Sequence, residues 1–326
     1  MRASAPRLDG AEWQTHQTGA AEAVARNVST LAICSRARRH VTAQDPAQAA
    51  QSFGERSGRL IVIGNFDGVH RGHQHLIRQV LDDARRAGLQ PAILTFEPHP
   101  AMVLGRGAQP TLTRLERKIE LLRELDPQLE VLIEAFTART AQMSPEQFAQ
   151  TVLRERWGAR QVVVGVNFRF GHRRQGDLRQ LAELGQRLGF TARALPLLYE
   201  GREPISSSRI RALLRAGDVQ ECGSLLGRPH TVQGTVVHGA HLGRRLGFPT
   251  ANLEQVVEML PRRGVYSCRV WMLSGSCEVA LEGAPAICNV GHSPNRQGYA
   301  FGCVRSEWGG RGSARSPPIT ALGATV

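Results

Sequence analysis

The sequence predicts an α/β fold with a doubly wound parallel sheet, followed by a smaller, incomplete β-barrel. From Leu60 to Gly227, short apolar runs alternate with amphipathic segments, the pattern of repeated strand–helix units. Beyond Gly227, strand-like runs are joined by Gly and Pro turns with no strong helix between them. The expected division is an extension over 1–58, an α/β domain over 59–226, a partial barrel over 227–298 and an unstructured tail over 299–326.

Composition agrees with two packed domains. The chain has 326 residues, of which 41% are apolar, and no apolar run approaches the length needed to cross a bilayer. The six cysteines are scattered, without the close pairs of a zinc site or the density of a disulfide framework. We therefore expect a cytoplasmic protein without a membrane partner.

The charge favours phosphorylated ligands. The formal net charge is +13 and the isoelectric point is near 10.8, which attracts phosphates of any kind. The excess comes from arginines spread along the chain, and aromatics make up only 5%. No stretch alternates basic residues with aromatics that stack on bases. Small phosphorylated molecules are expected as ligands, with no specific nucleic-acid partner.

The first 58 residues lack a hydrophobic period and are rich in Ala, Arg, Ser, Thr and Gln. They predict a disordered tail or a start codon placed too far upstream. Arg36, Arg38 and Arg39 would suit an organellar transit peptide, whereas the acidic residues Asp9 and Glu12 argue against one.

Each strand and helix follows from local pattern. In the α/β domain, strands are predicted at 60–64, 91–96, 131–136, 161–168 and 192–198. Helices are predicted over 75–87, from Thr113, from Ser144, from Asp177 and over 210–214. Thr113 with Glu116, and Ser144 with Gln147, have the spacing of capping boxes. Barrel strands are predicted at 231–237, 264–273 and 278–291.

Residues 64–73, Gly-Asn-Phe-Asp-Gly-Val-His-Arg-Gly-His, lie between the first predicted strand and helix. In open α/β sheets ligands bind in this crevice, and a helix N-terminus favours phosphate. Gly68 and Gly72 would let the backbone approach a triphosphate, while His70 and His73 can both face it. An isolated H-x-G-H is usually an ordinary turn, but the flanking strand and helix favour a nucleotide site.

A second motif precedes the helix predicted over 210–214. It contains the hydroxyls of Ser206, Ser207 and Ser208 and the cation of Arg211. Hydroxyls and free N–H groups at a helix start, with a cation one turn later, can hold phosphate. Alone, this segment would be interpreted as a capped helix; together with the His motif it is more specific.

These residues, with 95–100 (Thr-Phe-Glu-Pro-His-Pro), 164–171 (Val-Gly-Val-Asn-Phe-Arg-Phe-Gly) and Gly176-Asp177, resemble a known family. The chain is similar to the bacterial bifunctional riboflavin kinase/FMN adenylyltransferases, also called FAD synthetases, over about residues 60–298. The resemblance implies a Rossmann-like nucleotidyltransferase domain over 59–226. It also implies three substrates: ATP, FMN and riboflavin.

Site residues follow from this resemblance, motif by motif. His70, His73 and Arg211 would be catalytic. Nucleotide contacts are expected from Gly64, Phe66, Asp67, Gly68, Gly72, Ser206, Ser207 and Ser208. Ser208 stands where the family usually has Thr, which keeps the hydroxyl. Flavin contacts are expected from Asn65, Asn167, Phe168 and Phe170, although core packing is an equal explanation for the two phenylalanines.

The implied reaction is transfer of AMP from ATP to FMN, giving FAD and pyrophosphate. The FMN phosphate is already a nucleophile, so no covalent enzyme intermediate is required. Catalysis would consist of positioning and charge neutralisation, with Mg²⁺ on the phosphates.

The second module carries its own motif. Residues 243–253 (Gly-Arg-Arg-Leu-Gly-Phe-Pro-Thr-Ala-Asn-Leu) resemble the flavokinase motif of the same family, which implies Mg²⁺-ATP binding by Thr250 and Asn252. After about Gly298 the pattern stops: Glu307 is the only acid of the tail, and its context does not match the family's catalytic base. The expectation is an impaired kinase with open barrel edges, as a shifted reading frame would produce.

Other interpretations stay open at this point. One is an H-x-G-H nucleotidyltransferase that uses a different cofactor precursor. Another is a non-catalytic flavin or nucleotide binder left by gene decay. A third, suggested by charge alone, is a nucleic-acid-binding protein.

Overall fold

The structure, a computed structural model, describes residues 58–105, 110–237, 250–274, 279–292, 299–304 and 319–325. The predicted extension over 1–58 lies outside the described residues except for Gly58. The flavokinase motif is described only from Thr250 onward.

A five-stranded parallel sheet forms the centre of the first domain, as predicted. The strands are β1 Arg59–Ile63, β2 Gln90–Glu97, β3 Glu130–Ala135, β4 Ala159–Gly165 and β5 Thr191–Leu195. Their spatial order is β3-β2-β1-β4-β5, the doubly wound arrangement.

Helices and short turns connect these strands. The helices are α1 Arg71–Ala87, α2 Pro100–Val103, α3 Leu115–Leu125, α4 Ala138–Gln142, α5 Pro145–Gln147, a π-helix Phe148–Arg156, a 3₁₀ turn His172–Arg174, α6 Leu178–Leu188, α7 Ser207–Ala216 and α8 Val219–Leu226. A small hairpin pairs β6 Tyr199–Glu200 with β7 Glu203–Pro204.

The sheet is buried on both faces. Successive residues of β1 alternate between two apolar clusters: Leu60 and Val62 belong to one, Ile61 and Ile63 to the other. This alternation follows from the two-residue period of a strand. Burying each such side chain stabilises the fold by roughly 1.5–3 kcal/mol, so the sheet is a rigid support for the loops at its edge.

One of the two predicted capping boxes is confirmed. Ser144 Oγ accepts from Gln147 N (3.1 Å), and Gln147 Oε1 accepts from Ser144 N (2.9 Å). The box at Thr113 is wrong: α3 begins at Leu115, with Arg114 as a cap that makes no side-chain bond. The Thr113 N–H donates instead to the Asp67 carboxylate (3.2 Å), so a tertiary contact replaces the local one.

The second domain is a closed antiparallel barrel. Its strands are β8 Thr231–Val237, β9 Thr250–Glu254, β10 Gly264–Ser274, β11 Val279–His292, β12 Tyr299–Val304 and β13 Ile319–Thr325. They follow the order β10-β11-β12-β9-β8-β13 around the barrel. The predicted domain boundary falls between the end of α8 at Leu226 and the start of β8.

Closure of the barrel corrects two expectations, the incomplete barrel and the unstructured tail. β12 pairs with β11 and β9, and β13 pairs with β10 and β8, so residues 299–304 and 319–325 are strands. The β13 sequence, Ile-Thr-Ala-Leu-Gly-Ala-Thr, contains small residues and lacks an extended apolar alternation. Its strand conformation comes from pairing partners that local pattern does not reveal.

The barrel packs against residues 110–114 and α7 of the first domain. Arg114 forms an ion pair with Glu258 (Nε–Oε1 2.6 Å) and donates to Gln233 O (2.6 Å). The Glu258 side chain is only 3% exposed. Met259 N also donates to Thr111 O (2.7 Å). These contacts fix the 110–114 segment between the sheet domain and the barrel. Among the described residues, no helix is long and apolar enough to cross a membrane.

Candidate nucleotidyl-transfer site

The site lies at the carboxyl ends of β1 and β4, where the connections from neighbouring strands leave in opposite directions. Residues 64–70 leave β1 here, and Asn167 follows the end of β4. Open α/β sheets bind ligands at this switch point. The sheet therefore brings the first predicted motif and the predicted flavin contacts to one crevice.

The turn after β1 has a strained backbone. Phe66 and Val69 have φ values of 49° and 39°, and Gly68 has φ 85°. For side chains such as Phe and Val, this left-handed region costs about 1–3 kcal/mol each and requires support from the surroundings. A Cβ on Gly68 would stand 3.0 Å from Leu112 Cδ1. Glycine is therefore favoured at position 68 for two reasons: its backbone is in the left-handed region, and a side chain would crowd Leu112.

Side chains from distant elements hold the carbonyls of this turn. Ser207 Oγ donates to Asp67 O (2.8 Å), and Arg228 donates to Gly68 O (2.6 Å) and Val69 O (3.2 Å). Gln74 Nε2 also donates to Val69 O (2.9 Å). Arg228 belongs to the connection between the two domains and was missed by sequence reasoning. These bonds keep the strained turn in one conformation.

Asp67 is bound entirely by protein donors. Its carboxylate accepts from Leu112 N (2.9 Å), Thr113 N (3.2 Å) and Thr111 Oγ1 (3.0 Å), and it pairs with the Arg211 guanidinium. Arg211 Nε also donates to Pro110 O (3.1 Å). Asp67 and Arg211 are both buried. The predicted nucleotide contact at Asp67 and the predicted catalytic cation at Arg211 thus form one internal ion pair.

His70 and His73 face each other at the start of α1. Their rings stack with centroids 3.6 Å apart, and His70 Nδ1 accepts from His73 N (3.2 Å) as the helix cap. This cap starts the helix at Arg71, four residues before the predicted start. Because Nδ1 is an acceptor, the proton of neutral His70 lies on Nε2. Phe66 contacts the His73 ring edge to face at 5.1 Å.

Both histidines are held in the neutral form. Burial, then the charge of Arg228, lowers the pKa of His70 from 6.5 to about 4. Burial also lowers the pKa of His73, with added repulsion from His70, Lys118 and Arg228. His73 Nδ1 is buried and has no hydrogen-bond partner among the described residues. A neutral pair can donate hydrogen bonds to phosphate oxygens without carrying full charge in the free protein.

This titration predicts an acid-sensitive fold. Below pH 6.5, His70 becomes protonated in the unfolded chain, whereas in the folded chain it stays neutral until about pH 4. The free energy of unfolding therefore falls as pH falls through that window. For His70 alone the loss between pH 7 and pH 5 is about 2 kcal/mol. Urea unfolding at both pH values should show a smaller loss in His70→Asn than in the parent protein. Equal losses in the two proteins would contradict the buried neutral His70.

The serine motif meets the His motif directly. Ser206 Oγ accepts from Arg209 N (3.2 Å) as the cap of α7, and Ser207 bonds Asp67 O as described. Ser208 is exposed. A Cβ on Gly72 would stand 3.2 Å from Ile205 O and 3.1 Å from His70 Nδ1. Gly72 therefore permits the close approach of α1 to the segment that precedes α7.

A cavity of about 650 Å³ opens beside the turn. Its lining includes Gly64, Asn65, Asn167, Phe168 and Phe170, together with Phe96, His99, Phe136, Phe148, Arg169, Arg173 and Arg174. A volume of this size and an aromatic lining suit a planar cofactor-sized ligand. All four predicted flavin contacts line it. Phe170 is also buried in the core, and its ring stacks on Phe168 with centroids 5.6 Å apart. Core packing therefore applies to this pair, and a flavin contact of either phenylalanine stays a prediction.

Comparison with known proteins identifies the family. A family model described as FAD synthetase matches residues 53–209, and one described as riboflavin kinase matches residues 226–303. A bifunctional riboflavin kinase/FMN adenylyltransferase of Escherichia coli (strain K12) is 36% identical over 242 residues, covering 74% of this chain and 75% of the relative. The Bacillus subtilis (strain 168) protein of the same name is 34% identical, covering 74% of each chain. The chain belongs to this family.

A solved structure shares the fold of this riboflavin kinase/FMN adenylyltransferase family member. It is a crystal structure described as a macrolide-efflux protein from Streptococcus pneumoniae, and it superposes with a TM-score of 0.69 over 84% of this chain and 86% of the other. At 24% identity the likeness shows the fold alone.

The kinase module places Thr250 and Asn252 on β9, apart from the first site. Asn252 is partly buried and pairs in register with Val237 of β8. Thr250 pairs with Val304 of β12. Hydroxyl and amide oxygens are ligands that Mg²⁺ accepts, so this donor set fits the implied metal. No cluster of three His, Cys, Asp or Glu side chains suited to a metal exists in the part of the chain that the structure describes.

Proposed function

We propose that this protein transfers AMP from ATP to FMN, giving FAD and pyrophosphate, at the crevice between β1 and β4. The meeting of the two motifs supports this most directly: Ser207 of the serine motif donates to Asp67 O inside the His motif (2.8 Å). The N-termini of α1 and α7 thereby meet at the turn after β1, whose first residues, Gly64 and Asn65, line the cavity. Converging helix N-termini favour a polyphosphate.

The cavity is proposed to hold the flavin ring against Phe168, with the FMN phosphate directed towards His70 and His73. The phosphate attacks the α-phosphorus of ATP, the bond from that phosphorus to the bridging oxygen breaks, and pyrophosphate leaves with the electron pair. His70 and His73 would donate hydrogen bonds to oxygens whose charge grows during this exchange. The exposed hydroxyl of Ser208 would add a contact to the nucleotide.

Arg211 is proposed to act by position. Its guanidinium is paired with Asp67 and bonded to Pro110 O, so its charge is already neutralised in the interior. It supports the turn that carries the histidines. Mg²⁺ bound to the nucleotide would neutralise phosphate charge; Asp67 does not fit as its ligand, because both carboxylate oxygens accept from protein donors.

The deciding experiment is a chromatographic assay of the purified protein with Mg²⁺-ATP and either FMN or riboflavin. FAD from FMN supports AMP transfer. Absence of product from both substrates would favour the non-catalytic binder, and product only from a different phosphorylated precursor would favour another nucleotidyltransferase.

We also propose phosphorylation of riboflavin by the barrel, on the strength of the second family match. The barrel is closed, so the expected open edges are wrong as a cause of impairment. Glu307 and its neighbours, where the family's catalytic base has no match, lie outside the described residues. An impaired kinase therefore stays a prediction, and riboflavin conversion in the assay above decides it.

Asn252 offers a variant that separates the two activities. Asn252→Ala should lower FMN formation from riboflavin by about tenfold or more, because it removes an oxygen donor suited to the nucleotide-bound metal. FAD formation from supplied FMN should stay within about twofold of the parent, because β9 belongs to the barrel. An equal fall in both activities would contradict separate sites.

A further inference from the structure

One residue type is almost missing from the chain. Of its 41 Lys and Arg residues, 40 are arginines, and Lys118 is the only lysine. A chain that uses arginine at every other cationic position provides no general reason for a lysine here. The reason for a lysine at position 118 must therefore lie in its surroundings in the fold.

Lys118 lies in α3 with its side chain buried beneath the crevice. It is 6% exposed, and Nζ donates to Asn65 O (3.1 Å) and lies 3.5 Å from Thr95 Oγ1. Thr95 Oγ1 in turn donates to Asn65 O (3.2 Å). This triangle joins the carboxyl ends of β1 and β2 to α3. Asn65, the residue that it fixes, lines the cavity.

The ammonium sits among the charged and titratable groups of the site. Asp67 and Glu97 are the acids that favour its charge, while burial opposes the charge and lowers the lysine pKa. His73 and His99 face it from the crevice, and its charge lowers the pKa of both. Because Asp67 is already paired with Arg211, it neutralises only part of the Lys118 charge. Much of that positive charge therefore remains to attract a ligand in the crevice.

We infer that Lys118 is a positioning residue for AMP transfer: its ammonium fixes Asn65 in the floor of the crevice and supplies a buried positive charge beneath the phosphates of ATP. This role rests on the proposed function of the site. A buried cation in a low-dielectric floor attracts a polyphosphate more strongly than an exposed arginine does.

Arginine does not suit this position. An ammonium is compact, and its three donors can reach the two oxygens of Asn65 and Thr95 while one remains for the crevice. A planar guanidinium is larger and carries five donors, which the same small space would leave partly unpaired.

The single lysine permits a direct test on the unaltered protein. Protein grown with ¹³C-lysine gives one set of lysine resonances, and the Cε resonance followed against pH reports the pKa of Lys118. Saturation with α,β-methylene-ATP, whose α–β bond cannot be broken by AMP transfer, should shift this resonance and raise the pKa by at least one unit. An unchanged resonance at analogue concentrations that inhibit FAD formation from FMN overturns the inference. An analogue that does not inhibit this reaction overturns the nucleotide site itself.

Kinetics supply the second arm. Lys118→Met should lower kcat for FAD formation about tenfold to hundredfold, with KM for FMN within about twofold. The matched control is Arg123→Met, which removes an exposed positive charge from the same helix; it should leave kcat within about twofold. A Lys118→Met protein with parental kcat, or an equal loss in both variants, overturns the inference.

Discussion

His73→Ala is expected to lose roughly 10²–10³ in kcat for FAD formation, the usual cost of removing one donor aimed at developing charge. His73 has a buried Nδ1 with no partner in the described part of the chain, and its ring stacks on His70 at 3.6 Å. A buried ring nitrogen without a hydrogen-bond partner does little to stabilise the fold, so we expect the His73 ring to bind a ligand. Steady-state assays with Mg²⁺-ATP and FMN measure the loss.

The fold should survive this change. The His70 cap accepts from the backbone N–H of residue 73, and an alanine retains that N–H. The matched control is His75→Ala, on the same helix two residues later, where the side chain points to a different face. His75→Ala should keep kcat within about threefold. Turnover of His73→Ala equal to that of the parent would remove the His motif from catalysis.

Much of the first domain is predictable because its elements are decided locally. The strands carry continuous apolar runs, and the Ser144 box closes on itself within four residues. The His motif is also predictable, because the strand before it and the helix after it are enough to identify it as a nucleotide site. These features need no knowledge of distant parts of the chain.

The parts that sequence reasoning missed depend on distant partners. Thr113 gives its N–H to Asp67, 46 residues away, so the local capping pattern fails. Arg228 reaches Gly68 O from 160 residues away, and β13 becomes a strand only between β8 and β10. Lys118 is the exception, since its uniqueness is visible in the composition.

The buried pair of Asp67 and Arg211 gives the largest expected effect on stability. Asp67→Asn should lower the free energy of unfolding by about 3–5 kcal/mol, because the Arg211 guanidinium stays buried without its counter-charge. The new amide N–H₂ would also oppose the donors of Leu112 and Thr113, which now point at the carboxylate. Urea unfolding measures the loss. The control is Asp82→Asn, because the Asp82 side chain is 61% exposed in its pair with Arg85. That substitution should change the free energy of unfolding by at most about 1 kcal/mol.

The double variant separates charge from packing. Asp67→Asn combined with Arg211→Met removes both charges, so it should be more stable than Asp67→Asn alone. AMP transfer should nevertheless stay low in the double variant, because residues 110–113 and the His motif are joined through the Asp67 carboxylate. Recovery of stability without recovery of kcat would show that this pair holds the turn in its working conformation. Recovery of both would mean that the strained turn after β1 keeps its shape without the carboxylate, and that Arg228, Gln74 and Ser207 suffice to hold it.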